Sequence, residues 1–179
     1  MEGAAHILAT QPDEQIKDYL DQLISKFAAA QQDYGYLNTY YTLVEPDQRW
    51  SNRPVMHELY CAGHLFEATV AYFQSTGKRN LLDVAIKFAD HIDGIFGEGK
   101  RIGVPGHQEI ELALVKLYEV TGEKRHLNLP AFFINQRGKS GADYYQDHLP
   151  VRQQSEITGH AVQAVYLFIS GYRSLPRGP

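Results

Sequence analysis

A repeat of about 45 residues constrains the fold of this 179-residue chain more than any other feature. The turn sequence Thr76-Gly77-Lys78 recurs 45 residues later as Thr121-Gly122-Glu123. A Gly-His pair occurs three times, at residues 63–64, 106–107 and 159–160, each time at the start of an apolar helical pattern or early within it. Because two helices and their turns fill a unit of this length, the spacing predicts αα-hairpins.

The apolar residues between the turns follow helical periodicity. The pattern predicts helices from Asp13 to about Gln32, from Met56 to Gln74, and from Leu81 to the glycines that begin at Gly94. No alternating apolar run of useful length predicts a strand, so the fold class is all-α. Pro130 interrupts a later helix, and we expect that helix to start with Asn128 as its N-cap and Pro130 in its first turn.

Helical hairpins assemble either into an open solenoid or into a closed toroid with an inner and an outer ring of helices. A polar cluster that recurs at the start of successive like helices favours the toroid, because a toroid with a ligand funnel needs such a cluster at one end. A ring of six hairpins would need on the order of 270 residues at this repeat length. The chain therefore predicts about half of an (α/α)6 barrel.

Composition excludes several classes of function. A net charge of -4 with interspersed signs gives no electrostatic surface for nucleic acid. No apolar run approaches the roughly 20 residues of a membrane span, and the first residues lack the pattern of an export signal, so we predict a soluble, cytoplasmic chain with no membrane partner. Cys61 is the only cysteine, which excludes an internal disulfide and a cysteine-only metal site within the chain.

Imidazole, carboxyl and thiol groups gather at the predicted helix starts. They are His57, Glu58, Cys61, His64, His107, Glu109, Glu111, Glu156 and His160. Carboxylate and imidazole together can orient sugar hydroxyls, bind a metal or perform acid–base catalysis, and no HxH or HExxH spacing selects the metal. The structural alternatives are a small buried thiol, a glutamate that complements the helix dipole and histidines satisfied within the core.

Aromatic and amide side chains fill the loop between the first two predicted helices. They are Gln32, Tyr36, Asn38, Tyr40, Tyr41 and Trp50. Flat apolar rings beside amide groups are the combination that carbohydrate sites need. The alternative is a tyrosine-rich loop that packs over the helix ends.

Five segments together resemble the catalytic domain of glycoside hydrolase family 127, the β-L-arabinofuranosidase family. They are "DYGYLNTYYT", "RW", "MHELYCAGHLFEA", "GVPGHQEIELALVKLYEVTG" and "GHAVQAVY". The resemblance implies an (α/α)6 barrel that removes terminal β-L-arabinofuranose with retention, using a zinc-bound cysteine as nucleophile and a glutamate as acid–base. It places that zinc site in the later half of the barrel, so it implies no catalytic residue, metal ligand or cofactor in this chain and zinc in the intact family enzyme.

The same resemblance implies that this chain carries the sugar-binding side of the barrel. It assigns His57, His107 and His160 to an L-arabinofuranoside-type glycan, with Asn38 and Tyr40 of the "GYLNTY" loop nearby, and we add Glu58 and Trp50 to this set. Cys61 matches the "ELYC" position and not the nucleophile. We expect a partial catalytic domain over residues 1–168 and an aberrant tail over 169–179.

Two other functions stay open at this stage. One is a non-catalytic α-hairpin module that binds carbohydrate or a protein through its tyrosine and histidine surface. The other is a different helical-toroid enzyme, such as an epimerase or a lyase, that uses histidine and glutamate without a metal. With half a ring, we also expect exposed apolar helix faces that favour self-association.

Overall fold

The computed structural model describes residues 1–174, and this part of the chain is helical without a named strand. Its α-helices are α1 (Glu2–Thr10), α2 (Glu14–Ala30), α3 (Thr39–Leu43), α4 (Arg53–Met56), α5 (Glu58–Thr76), α6 (Asn80–Ile95), α7 (Ile110–Thr121), α8 (Arg125–Gln136) and α9 (Ala161–Ser174). Short 3₁₀ turns cover Pro46–Gln48, Asp143–Tyr145 and Val151–Gln153. Among the described helices, none combines the length and the apolar character that crossing a membrane requires.

The helices form two layers of an arc. Helices α1, α5, α7 and α9 pack side by side in that order and form the inner layer. Helices α2, α6 and α8 pack against them and against one another on the outer side. This arrangement of successive hairpins confirms the predicted all-α hairpin repeat.

The main core lies between α5, α6 and α7, and the loop before α4 covers one end of it. Phe66 of α5, Phe88 of α6 and Leu114 of α7 are fully or almost fully buried there. A second core joins α1 and α2 to α5 through residues such as Leu20 and Tyr72. Buried residues lie on several sides of α5, as expected for an inner helix that contacts both neighbours and the outer layer.

Local signals in the sequence explain the ends of several helices. Asp13, where the predicted helical pattern starts, caps α2, because its carboxylate accepts from the backbone N–H groups of Gln15 and Ile16 at 2.8 and 3.0 Å. The repeated turn residues Gly77 and Gly122 end α5 and α7 with nearly identical backbone angles, φ 71° ψ 0° and φ 71° ψ 5°. This left-handed conformation favours glycine, which explains why the turn sequence recurs.

The predicted start of α8 at Asn128 is wrong. The helix begins at Arg125, and the backbone N–H of Asn128 already donates to the carbonyl of Lys124 at 3.0 Å. Pro130 therefore lies inside the helix and not in its first turn. Burial of His126 and Leu129 against the core accounts for the earlier start, since packing of that first turn outweighs the one backbone hydrogen bond that proline removes.

Helix α9 continues past the predicted domain boundary at residue 168 and reaches Ser174. The first part of the predicted tail is thus helical. The remainder of that prediction, residues 175–179, lies outside the described residues.

Candidate functional site

Three histidines from successive repeats form a row across the inner layer. The ring centroids of His57 and His107 are 6.5 Å apart, and those of His107 and His160 are 6.3 Å apart. His57 is exposed, whereas His107 and His160 are partly buried. Equivalent ends of like helices thus bring together residues that are up to 103 positions apart in the sequence.

The three side chains of this histidine row are positioned by different local backbone structures. His57 joins α4 to α5 in a left-handed conformation, φ 53° ψ 29°, which is uncommon for a residue with a Cβ atom. His107 lies in the loop before α7, and His160 directly precedes α9. The backbone N–H of His160 donates to the carbonyl of Tyr144 at 3.1 Å, which ties the start of α9 to the preceding loop.

Hydrogen bonds assign a tautomer to two members of the row. His107 Nδ1 lies 2.8 Å from the carbonyl oxygen of Gln108, and since a carbonyl only accepts, Nδ1 carries the hydrogen and Nε2 keeps a lone pair. Burial lowers the pKa of His107 despite this bond, so the ring is neutral at pH 7. In contrast, His160 Nδ1 accepts from the backbone N–H of Gln163 at 3.4 Å, which leaves Nε2–H as a donor when the ring is neutral.

Tyr60 lies at the centre of the histidine row, and it was not among the predicted site residues. Its ring centroid is 4.6 Å from that of His107, 4.4 Å from that of His64 and 5.7 Å from that of His57. Its position three residues after His57 and four before His64 on one helix is a signal that could have identified it. Tyr166 of α9 also contacts His107, with centroids 5.7 Å apart.

Trp50 and Glu58 do not line the row, contrary to our prediction that they contact substrate. Trp50 is 3% exposed and packs edge-on against Tyr36, so it offers no free ring face to a sugar. Glu58 is 2% exposed, and its carboxylate accepts from the Tyr36 hydroxyl at 2.6 Å and from the backbone N–H of Trp50 at 2.7 Å. Both residues hold the loop onto the start of α5.

Asn38 and Tyr40 belong to the short helix α3 on the same loop. Asn38 caps α3 by accepting from the backbone N–H of Tyr41 at 3.2 Å. Tyr40 is 40% exposed and contacts the buried ring of Tyr41. These contacts describe a structural role for Asn38, while Tyr40 keeps an accessible face.

A buried group of charges lies beneath the histidine row, between α5 and α7. Glu109 precedes α7 and is completely buried, and its Oε1 lies 3.4 Å from Nδ1 of His64. Glu67 lies one turn after His64 on α5, and the ammonium of Lys116 on α7 donates to its carboxylate. Among the described residues, neither carboxyl oxygen of Glu109 meets an N–H or O–H donor with hydrogen-bonding geometry.

Gly63 allows this arrangement. A Cβ atom at Gly63 would lie 2.6 Å from Cγ of Glu109 and 3.0 Å from Cα of Ile110. The start of α7 therefore lies directly on α5 at this glycine, and the Glu109 side chain crosses α5 there to reach His64 and Glu67.

Glu111, the other carboxyl predicted beside His107, pairs with a cation at the end of α8. Its Oε1 lies 3.6 Å from Nη2 of Arg137, and both side chains are fully buried. Arg137 also donates to the backbone carbonyls of Pro105 and Tyr145 at 2.9 and 3.1 Å. Glu111 thus has its own cation and supports the loops that carry His107 and Tyr145.

The buried group contains donor atoms that could bind a metal ion. His64, Glu67 and Glu109 offer one imidazole nitrogen and two carboxyl oxygens within 4.8 Å of one another. However, Lys116 already supplies a positive charge to Glu67, and the group contains no thiol. These residues therefore do not fit the cysteine-containing zinc site that the family resemblance implies.

Cys61 is exposed, and our interpretation of it as a buried thiol is wrong. It lies on α5 one turn after His57, and its side chain faces away from the core. The protein packed around the sulfur and the charge of Glu58 raise the pKa of the thiol. A thiol in this state is a poor nucleophile at neutral pH.

An arc of αα-hairpins with imidazole, phenol and carboxyl groups at one end of its inner helices defines a class, the α/α-toroid proteins. The particular family follows from comparison with known proteins. The model of the β-L-arabinofuranosidase GH127 catalytic domain matches residues 1–175, so the chain belongs to this family. The resemblance stated from its motifs is confirmed.

Individual relatives agree with this assignment. A non-reducing end beta-L-arabinofuranosidase of Bifidobacterium longum is 41% identical over 93% of this chain and 30% of its own length. The crystal structure of a GH127 beta-L-arabinofuranosidase from Geobacillus stearothermophilus T6 superimposes with a TM-score of 0.90 at 46% identity, covering 94% of this chain and 30% of that one. A further GH127 beta-arabinofuranosidase gives 0.89 at 42% identity, covering 94% of this chain and 28% of that one. The chain thus spans about 30% of the length of these relatives.

Proposed function

We propose that this chain provides the sugar-binding side of a β-L-arabinofuranosidase that acts on terminal β-L-arabinofuranose of glycans. One observation carries the proposal: His57, His107 and His160 form a continuous row around Tyr60 at the ends of successive inner helices. Such a row is of little use to an open helical scaffold. It suits a small polyhydroxylated ligand that inserts into the end of a ring.

The row offers complementary hydrogen-bonding groups to a sugar. His107 presents the lone pair of Nε2, which accepts from a hydroxyl, and His160 presents Nε2–H, which donates to one. The Tyr60 ring lies between His107 and His64 and gives a flat surface of the type that packs against sugar C–H groups. Neighbouring donors and acceptors with an aromatic ring match the alternating hydroxyl and C–H faces of a furanose.

The proposal assigns no catalytic residue to the described part of the chain. Retaining hydrolysis needs two groups about 5–5.5 Å apart on opposite sides of the glycosidic bond, one as nucleophile and one as acid–base. We propose that residues outside this chain supply both, together with the zinc expected in the intact enzyme. A cytoplasmic location is part of the same proposal, and cell fractionation would test it.

Binding of methyl β-L-arabinofuranoside to the purified chain, measured by NMR titration, tests the proposal. We expect weak binding with shifts centred on His57, His107 and His160. His107→Ala should reduce affinity about tenfold or more, since it removes an oriented hydrogen bond and exposes its partners. The matched control is His6→Ala on α1, because His6 is also a solvent-accessible histidine on an inner helix but lies outside the row.

Two outcomes would contradict this proposal. Full affinity in His107→Ala would remove the row from the sugar site. Absence of any binding at millimolar sugar would favour the non-catalytic alternative, in which the same surface contacts a protein. The purified chain should release no aryl leaving group from an aryl β-L-arabinofuranoside, and Cys61→Ser should not change that result.

A further inference from the structure

Charge balance in the buried group between α5 and α7 leaves one carboxyl without a cation. Lys116 neutralises Glu67, and Arg137 neutralises Glu111. Glu109 is as deeply buried as Glu111, but the charged groups that act on it are the carboxyls of Glu67 and Glu111 and the ammonium of Lys116, which already pairs with Glu67. An isolated carboxylate in the interior costs several kcal/mol or more, so a group of this kind keeps a proton instead.

The surroundings of Glu109 fit a neutral acid with one donor and one acceptor oxygen. The ionisable side chains that face it are Tyr60, His64 and Glu67 from α5, Glu111 and Lys116 from α7, and Tyr166 from α9. The carboxylate of Glu67 can accept a hydrogen bond but cannot donate one. Nδ1 of His64 lies 3.4 Å from Oε1 of Glu109, and a rotation of the imidazole ring would direct Nδ1–H at this oxygen.

We propose that Glu109 is a neutral carboxylic acid whose hydroxyl donates to Glu67 and whose carbonyl oxygen faces Nδ1–H of His64. Through His64, Glu109 positions the part of the proposed sugar-binding surface that Tyr60, His64 and His107 form. His64 is then held with its Nε2 lone pair free toward Tyr60 and the open side of the arc. This assignment adds His64 to the proposed sugar-binding surface, as a further acceptor for a sugar hydroxyl. Only that last assignment rests on the proposed function.

The direction of the pKa shifts agrees with this state. Burial, the hydrogen bond to Glu67 and the charge of that residue raise the pKa of Glu109 from its ordinary value of 4.5 to about 9. Burial works against ionisation of Glu67, but its hydrogen bonds with Glu109 and Lys116 outweigh burial and lower its pKa. One proton therefore belongs to Glu109, and Glu67 carries the charge that Lys116 balances.

The first test is the pH dependence of unfolding in wild type and in Glu109→Gln, whose amide mimics the neutral acid. The folded protein holds this proton up to pH about 9, whereas the unfolded chain releases it near 4.5. Raising the pH through this window therefore favours unfolding, by up to tenfold in the unfolding constant per pH unit. Glu109→Gln should lack this component and be more stable than wild type at pH 8. Glu14→Gln, an exposed surface change, should leave the pH dependence unaltered.

The second test begins with the wild-type chain alone. Carboxyl ¹³C NMR of the glutamate-labelled wild-type chain should show one carboxyl group that stays protonated well above pH 7, and ¹⁵N NMR should show hydrogen on Nδ1 of His64. Glu109→Gln should remove that carboxyl resonance and preserve the His64 tautomer, because the amide carbonyl replaces the acid carbonyl as acceptor.

Three results would overturn the proposal. One is a wild-type spectrum in which every glutamate ionises below pH 7. Another is an unchanged pH dependence in Glu109→Gln. The third is stoichiometric Zn²⁺ binding by wild type that this variant abolishes, which would make the group a cation site. All three are measured without sugar, so they are independent of the sugar-binding proposal.

Discussion

Gly63 lies where the start of α7 packs so closely on α5 that no side chain larger than hydrogen fits. Replacing it with alanine forces a Cβ atom against Glu109 and the backbone of Ile110. We expect Gly63→Ala to destabilise the protein by about 1–3 kcal/mol, the usual effect of overpacking. Urea denaturation measures the change. Gly94→Ala in α6 is the matched control, since nothing lies within 4 Å of its Cβ position and a helical Gly→Ala change stabilises by about 0.4–1 kcal/mol.

The buried carboxylate of Glu58 is stabilised by two hydrogen-bond donors, so the cost of removing one donor should depend on pH. Burial raises its pKa, and the hydrogen bonds from Tyr36 and Trp50 lower it. Tyr36→Phe removes one donor and should cost about 1–3 kcal/mol. Because protonation at low pH relieves the unpaired charge, the cost should be larger at pH 8 than at pH 5. Thermal unfolding of this variant across that range tests the prediction, with the exposed Tyr19→Phe as control. An equal cost at both pH values would show that the protonation state of Glu58 does not change between pH 5 and pH 8.

Sequence reasoning identified the residues of the histidine row but not the charges beneath it. The row follows from the repeat, because equivalent positions in stacked hairpins are neighbours. The contact of Glu109 with His64 and Glu67 depends instead on the position of the start of α7 along α5. The close approach of the two helices at Gly63 determines that position. Trp50 and Glu58 were misassigned because a loop composition that suits a sugar also suits a core, and only the fold shows which way the side chains point.

At the level of helices, local signals predicted most elements and tertiary packing decided the exceptions. The cap at Asp13 and the glycines after α5 and α7 fix helix ends within a few residues of the prediction. The start of α8 was predicted too late in the chain, because burial of His126 and Leu129 outweighs the presence of Pro130. The left-handed residue His57 between α4 and α5 carries no local signal of the glycine type.

The two equivalent turns should respond equally to mutation. Gly77 and Gly122 share φ 71°, and no atom lies within 4 Å of either Cβ position. Alanine at either site therefore pays only the conformational cost of the left-handed region, roughly 1–2 kcal/mol. Gly77→Asn and Gly122→Asn should cost less, because asparagine tolerates this conformation. Chemical denaturation of the four variants tests this, and clearly unequal costs for the two alanine variants would show that the turns differ in tertiary environment.

On the scale of the whole molecule, the outer end of the arc is apolar. Val162, Val165 and Ile169 of α9 are 51%, 52% and 44% exposed, and among the described helices α9 packs on α7 and α8. We expect the isolated chain to self-associate through this face, as exposed apolar surfaces commonly do. Light scattering coupled to size exclusion should show oligomers that the double change Val165→Glu and Ile169→Glu converts to monomer. Val44→Glu, far from α9 in sequence and similarly exposed, is the control. A monodisperse wild-type monomer would refute the prediction.

The solitary thiol of Cys61 gives this molecule a built-in attachment point for a reporter. Since no other cysteine competes, a maleimide fluorophore or spin label would modify one defined position without any engineering of the sequence. Its raised pKa means that conjugation will proceed faster under mildly alkaline conditions. A probe there lies about one turn from both His57 and His64, so its emission or mobility would respond to a ligand at the proposed sugar-binding surface. Occupancy could then be followed in real time without a chromogenic substrate, which suits a chain expected to bind without turnover.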